Sequence, residues 1–332
     1  MRSQRLIYNP RILWQLLRET VVQWQQDKAS RLAAALAYYT VFSLSPLLII
    51  VVAIAGFFFG EAAARGEIVA QIQGLVGREA ATVIQNALEN AGQPAFGAGL
   101  IASLISLGIL LFGATGMFVQ LQDALNTIWD VAPRPNANLL TFIRKRVLSF
   151  AMVVGVGFLL LVSLLVSAAL AALHHFATDL VPGLESIWQI LELLLSFGVI
   201  TLLFAMIYKF LPDVRIAWSD VWVGAAITTV LFIVGKFALG MYLGNSSFGS
   251  TYGAAGSLVI ILAWVYYSVQ ILFLGAEFTQ VYAHRYGSCI QPSRHAVSLS
   301  EADRAQQGIP RNDMLKMAGH HQPRPGENHP SN

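Results

Sequence analysis

Four ionisable side chains interrupt stretches of sequence that are otherwise apolar: Asp123, Glu192, Lys236 and Glu277. A charge held in hydrocarbon is costly, so such residues face a partner, a cavity or a function. Glu192 stands five residues inside one end of its stretch and Lys236 seven residues inside the matching end of the next. At a rise of about 1.5 Å per residue, both lie roughly 8–10 Å within the same boundary. Opposite charges at matched depth point to an ion pair, each lowering the cost of burying the other. In its functional version the pair is a coupling or substrate site beside a cavity. In its structural version it is a fixed cross-link between two helices, or Lys236 snorkels outward on its stem; these structural versions carry more weight. Towards the opposite ends, Asp123 and Glu277 lie at comparable depth, with Arg31 and Arg144 to Arg146 as available partners. A polar cluster is expected there. Gln120, Asn126, Gln270, Gln280 and Tyr38 would line the same vestibule, although amides also serve simply to join helices.

Other chemistries lack their signatures. His174 and His175 are adjacent and point different ways on a helix, while His320, His321 and His329 fall in a polar tail. The sequence has no HExxH, no Cys-x-x-Cys and no Gly-x-Ser-x-Gly elbow, so no metal site, no cofactor and no enzymatic activity are expected. The uncharged stretch GNSSFGSTYGAAGS, residues 244–257, lacks the Gly-Lys-Ser/Thr end of a nucleotide-binding loop. Its Gly249, Gly253 and Gly256 recur at spacings that bare one side of a helix for close approach. It reads as a close-packed hinge or re-entrant turn, with capping and packing the weightier role.

The elements that must position these residues follow from composition. Of 332 residues, 56% are hydrophobic and 12% charged, about half the charged share of a soluble domain. A membrane crossing needs roughly 20 apolar residues. Segments 32–59, 98–122, 147–173, 187–208, 219–243 and 255–283 meet that length, which predicts an all-α, polytopic protein with six transmembrane helices. Basic residues cluster in residues 1–31, at Arg134 and Arg144 to Arg146, at Lys209 and Arg215, and from Arg285 onward, which leaves only Arg65, Arg78 and Lys236 elsewhere. Because Lys and Arg resist translocation, both termini are expected in the cytoplasm. The basic face would meet anionic lipid headgroups rather than nucleic acid. The charged N-terminal stretch has no cleavage site after a short apolar core, so the first span is read as retained. Cys289 is the single cysteine and permits no intrachain disulfide.

Three domains are expected. In the N-terminal segment, residues 1–31, Leu13, Leu16, Leu17, Val21 and Trp24 share one helical face. Such a helix lies in the cytoplasmic interface or packs on the end of the bundle, with equal weight. The transmembrane domain, 32–283, contains an external insert at 60–97 with amphipathic periodicity, read as one or two helices over the bundle mouth. They would act as a lid or, with more weight, as a passive cap. Pro133 and Pro135 stop the second span near Trp129. Residues 284–332 are polar and rich in Pro, His, Gln and Asn, and are expected to form a cytoplasmic, disordered tail.

Three segments, RLAAALAYYTVFSLSPLL, GMFVQLQDALNTIWDV and YGAAGSLVIILAWVYYSVQILFLGAEFTQVYA, together resemble the YihY/BrkB family of bacterial inner-membrane proteins, over roughly residues 28–284. The resemblance implies six membrane helices with cytoplasmic termini, links to virulence-associated resistance, and export of envelope lipids or solutes. An older ribonuclease label for the family finds no metal ligands here. Tyr38, Tyr39, Pro46, Asn126, Gly253, Gly275 and Glu277 fall in the family-like segments without an implied role. The expected function is export or flipping of an amphiphilic or small anionic molecule, the alternative being a membrane scaffold or envelope-assembly factor. Membrane lipids are the expected partners.

Overall fold

The computed structural model describes residues 10–60, 100–134, 185–244, 254–287 and 290–309, with a few isolated positions elsewhere. Within them run α1 (Pro10–Gln26), α2 (Ala29–Phe59), α3 (Leu100–Ile128), β1 (Val131–Pro133), α4 (Glu185–Phe210), β2 (Val214–Arg215), α5 (Trp218–Gly244), α6 (Ala254–Arg285), β3 (Gln291–Pro292), β4 (Ala296–Ser298) and α7 (Glu301–Gln306). Three of the helices contain segments long and apolar enough to cross a membrane: Leu193–Phe210, Trp218–Leu239 and Leu258–Arg285. They correspond to the fourth, fifth and sixth expected spans. The first and second fall on α2 and α3, while the third, the insert 60–97 and the basic run Arg144 to Arg146 lie outside the described residues.

Helix α6 is the hub, packed on α1, α2, α3 and α5. Its contact with α5 is built from a repeated device. Each helix carries a glycine followed four residues later by a threonine, Gly224 and Thr228 on α5, Gly275 and Thr279 on α6. Each threonine hydroxyl donates to its own helix's glycine carbonyl at 2.7 Å and sits over the partner's glycine. A Cβ on Gly224 would lie 1.8 Å from Thr279 Oγ1, and one on Gly275 would lie 1.9 Å from Thr228 Oγ1. Small residues let the backbones approach this closely without any hydrophobic driving force from lipid. Tyr208 of α4 locks the same layer, donating to the Leu272 carbonyl at 2.8 Å and meeting Thr228 Oγ1 at 3.0 Å. Between α2 and α3, Gly113 accommodates the in-helix Pro46, whose Cγ would be 3.1 Å from a Cβ there.

All described connections on one side converge at what we call the terminal end, where α1, the start of α2 and the ends of α3, α4 and α6 meet. Here the chain departs from the expected all-α character in a small way. Strand β1 pairs antiparallel with β4, Val131 opposite Ser298, and β2 pairs with β3, Val214 opposite Pro292. The departure for the tail is larger. Residues 290–309 are ordered, with Ala296, Arg304 and Ile309 buried. A polar composition concealed this strap because backbone pairing and one buried arginine hold it, rather than an apolar core of its own. The remainder, 310–332, lies outside the described residues.

Helix α1 docks Leu16 and Ile12 against Phe278, Val281 and Tyr282 of α6. Leu13, Trp14, Leu17, Val21 and Val22 stay exposed, so the amphipathic stripe is divided between the bundle and its surroundings.

Candidate functional site

The terminal end gathers the buried charge. Asp27 closes α1, and the next residue, Lys28, turns the chain into α2 with a left-handed backbone, φ 51°. Asp130 ends α3 in the same way, φ 55°. A non-glycine residue in this region costs on the order of 1–3 kcal/mol, a strain tolerated where the surroundings over-determine it. At both turns the overdetermining group is the strap. Ser300 caps α7, accepting from the Asp303 amide at 3.2 Å, and the Asp303 carboxylate accepts from the Ser300 amide at 3.1 Å. Arg304, one turn in, then reaches down between the two aspartates. Its Nη1 bonds Asp130 Oδ1 and its Nη2 bonds Asp27 Oδ1. The Arg304 side chain is 1% exposed, that of Asp27 3% and that of Asp130 23%. Lys28 Nζ donates to the Gly308 carbonyl at 2.6 Å, and the Leu299 amide to the Asp130 carbonyl at 2.8 Å.

Beneath Arg304 lies Glu277 of α6, fully buried. The charged groups facing it are Asp27, Asp130 and Arg304. No N–H or O–H of the described residues donates to either of its oxygens. One turn on, Gln280 Nε2 donates to Asp130 Oδ2 at 3.2 Å. A second polar knot ties α3 to the α4–α5 turn: Asn126 Nδ2 donates to Asp213 Oδ2 at 3.0 Å, and the Asp213 amide returns a bond to Asn126 Oδ1 at 2.8 Å. Alongside, Lys209 Nζ bonds the Ile216 carbonyl and lies 5.5 Å from the Trp218 ring centroid.

Of the residues singled out from sequence, Glu277, Asn126 and Gln280 enter this cluster. Asp123 and Arg31 are exposed, and neither is among the charges that face Glu277. Gln270 is half-buried two turns along α6, its Oε1 without a donor among the described residues. Tyr38 is exposed, its ring tilted 54° against that of Phe42 at 4.8 Å. At the far end, Lys236 is exposed on α5 and edges a groove formed with Phe232, Leu239, Trp264, Tyr267, Ser268 and Ile271. The Thr201–Thr229 hydrogen bond sets the antiparallel register of α4 and α5. Carried along both helices, it brings the levels of Glu192 and Lys236 to within about 3 Å, less than one helical turn. The Glu192 side chain, Gly249 and Gly253 lie outside the described residues, and Gly256 occupies the first turn of α6. Among the described residues, no group of three or more His, Cys, Asp or Glu is placed to hold a metal ion.

Sequence reasoning missed Asp27, Asp130, Asp213 and Arg304. Each stands in a polar connector, where a charge raises no alarm; only Asp130, just before the Pro133 stop, carried a positional hint.

Comparison with known proteins places this architecture. A family model described as Virulence factor BrkB matches residues 20–299, a range that includes Asp27, Asp130 and Glu277 and stops short of α7. A UPF0761 membrane protein of Pseudoalteromonas translucida is 28% identical over 307 residues, 87% of this chain and 93% of its own length. One from Ralstonia nicotianae is 29% identical over 259 residues, 76% of this chain and 55% of its own length, so the chain spans about half of that relative. UPF0761 membrane protein YihY of Salmonella typhimurium is 34% identical over 179 residues, 50% of this chain and 57% of its own length. No solved structure matches the chain. With a match across most of its length and helices apolar enough to cross a membrane, the chain is an integral membrane protein of the BrkB family.

Proposed function

We propose that the protein exports or flips an anionic amphiphile across a bacterial inner membrane, with both termini in the cytoplasm. The observation that carries this reading is Lys236. It stands exposed on a helix whose neighbouring outward residues, Val230, Val234, Phe237 and Met241, are also exposed and apolar. A cation among lipid-facing side chains offers a counter-charge to an anionic headgroup, while the adjacent surface accepts its apolar chains. Trp264, Tyr267 and Ser268 border the same groove and supply aromatic and hydroxyl contacts suited to an interfacial ligand. The names of the relatives say only that they are membrane proteins.

A scaffold that moves nothing is the second reading, favoured by the tight Gly–Thr packing of α5 on α6. The two separate in proteoliposomes carrying headgroup-labelled anionic and zwitterionic lipids. Wild type accelerates movement of anionic reporters, and Lys236→Met removes that acceleration while the melting temperature is kept. A folded wild type that moves no reporter across the panel overturns export and leaves the scaffold. Orientation is checked through Cys289, which an impermeant maleimide added outside intact spheroplasts should fail to label.

A further inference from the structure

The chamber under Arg304 holds more acid than base. Asp27 enters it from the α1–α2 turn, Asp130 from the end of α3 and Glu277 from α6. The cations nearby are Arg304, which bonds both aspartates, and Lys28, whose ammonium is turned to the Gly308 carbonyl. The other polar side chains there are Gln280, which donates to Asp130, and His284, whose Nδ1 engages the Gln280 backbone carbonyl. Arg304 satisfies one oxygen of each aspartate. None of the described residues donates to Glu277, although it is fully buried.

Two carboxyl groups that face each other disfavour the state in which both are ionised, and can share one proton. When one of two facing carboxyls carries a proton, it becomes the donor the other lacks. We propose that Asp27 and Glu277 form a proton-exchange site, roofed by Arg304 of the C-terminal strap. One proton passes from a hydronium ion at the terminal end to a carboxylate oxygen: an O–H bond of the hydronium breaks, a carboxyl O–H forms, water leaves, and the net charge of the site rises by one. Arg304, lying over the pair, closes the way to water while the strap is seated. Along α6 towards the bundle interior, Gln270 lies two turns from Glu277 on the same face, and none of the described residues donates to its Oε1. That places a second polar station behind the carboxyl pair. The site rests on its own geometry; its use as the energy input for export rests on the function proposed above.

The test is infrared difference spectroscopy of the full chain in lipid nanodiscs, with pH stepped through neutrality in H2O and in D2O. Wild type should show a protonated-carboxyl stretch that shifts in D2O. Glu277→Gln and Asp27→Asn should each abolish it, and Asp123→Asn, exposed on α3 and not among the charges facing Glu277, should leave it. Arg304→Ala should speed the D2O shift, because the group that covers the pair is gone. Should Glu277→Gln fold poorly, Glu277→Asp serves instead, with a displaced band. Absence of a D2O-sensitive band in wild type, its survival in folded Glu277→Gln, or an Arg304→Ala variant with unchanged exchange overturns the proposal. A band that behaves as described in a protein that moves no lipid supports the proton site and counts against export. Lipid movement without the band does the reverse.

Discussion

Replacing Arg304 with alanine should release the strap without unfolding the bundle. The arginine is 1% exposed and is shared between Asp27, 3% exposed, and Asp130, 23% exposed. Removing one member of a buried ion pair costs about 3–5 kcal/mol, much of it from the charge left behind. The partial exposure of Asp130 lets water recover some of that charge, so the low end, about 3 kcal/mol, applies. The other ties are individually small. They are the β1–β4 and β2–β3 pairing, the Ser293 amide donating to the Asp213 carbonyl, the Leu299 amide to the Asp130 carbonyl, the Arg134 amide to the His295 carbonyl, and Lys28 to the Gly308 carbonyl, each bond net about 1 kcal/mol. At 1.4 kcal/mol per tenfold, the opening equilibrium of residues 290–309 shifts roughly a hundredfold. Hydrogen exchange read by mass spectrometry in nanodiscs measures this directly. The Leu299 and Ile309 amides should exchange about a hundred times faster in Arg304→Ala, while peptides from α5 and α6 keep wild-type rates. Trypsin should also cut sooner at exposed Arg294. Arg304→Lys should recover only part, since a single ammonium cannot present the planar fork that spans two carboxylates. If strap exchange is unchanged in Arg304→Ala and also in Asp27→Asn, backbone pairing alone holds the segment and the ionic clasp is incidental.

Two further outcomes follow from packing and capping. Gly275→Ala drives a methyl against Thr228 and Tyr208 and should destabilise by about 1–3 kcal/mol; Gly198→Ala, with nothing within 4 Å of its Cβ, should be neutral or stabilise by about 0.4–1 kcal/mol, both read as melting shifts in one detergent. Ser300→Ala removes the α7 cap and should weaken strap docking by about 1 kcal/mol in the exchange experiment. Donation from the Ser300 hydroxyl and amide holds the Asp303 carboxyl below its ordinary value. Its contribution is therefore present above the unfolded carboxylate range and lost as pH falls through the lower folded value, so strap exchange should quicken in acid and lose part of that acid dependence in Asp303→Asn.

The membrane helices were legible because the lipid-soluble signal is long and redundant. Segments 187–208, 219–243 and 255–283 needed only length and composition, and the structure returns helices over each. What sequence spacing could not supply was which small residues meet. Gly224, Thr228, Gly275 and Thr279 look like ordinary components of apolar helices until an antiparallel register sets each threonine above the opposing glycine. Gly249 and Gly253, whose clustering drew attention, lie outside the described residues. The strap was missed for the opposite reason. Composition measures how much apolar surface a segment can bury, and 290–309 has little; its order comes from pairing with strands only two or three residues long and from one guanidinium.

The site divides along the same line. Glu277 stood out because a carboxyl within an apolar run has a visible cost, and it proves to be fully buried. The companion acid, Asp123, and the expected partners, Arg31 and Arg144 to Arg146, were chosen from position along the chain relative to the helix ends, a one-dimensional coordinate. Helix ends add a second coordinate that depth ignores, the direction in which the chain turns. The left-handed turns at Lys28 and Asp130 swing the adjoining carboxylates inward over α6. A residue 174 positions downstream of Asp130 then supplies the cation. The family match ends at residue 299, before that arginine. The acids thus lie within the shared family region and the cation beyond it. If the chamber binds a proton, the acidic half of the site belongs to the bundle, and the strap determines when that half meets water.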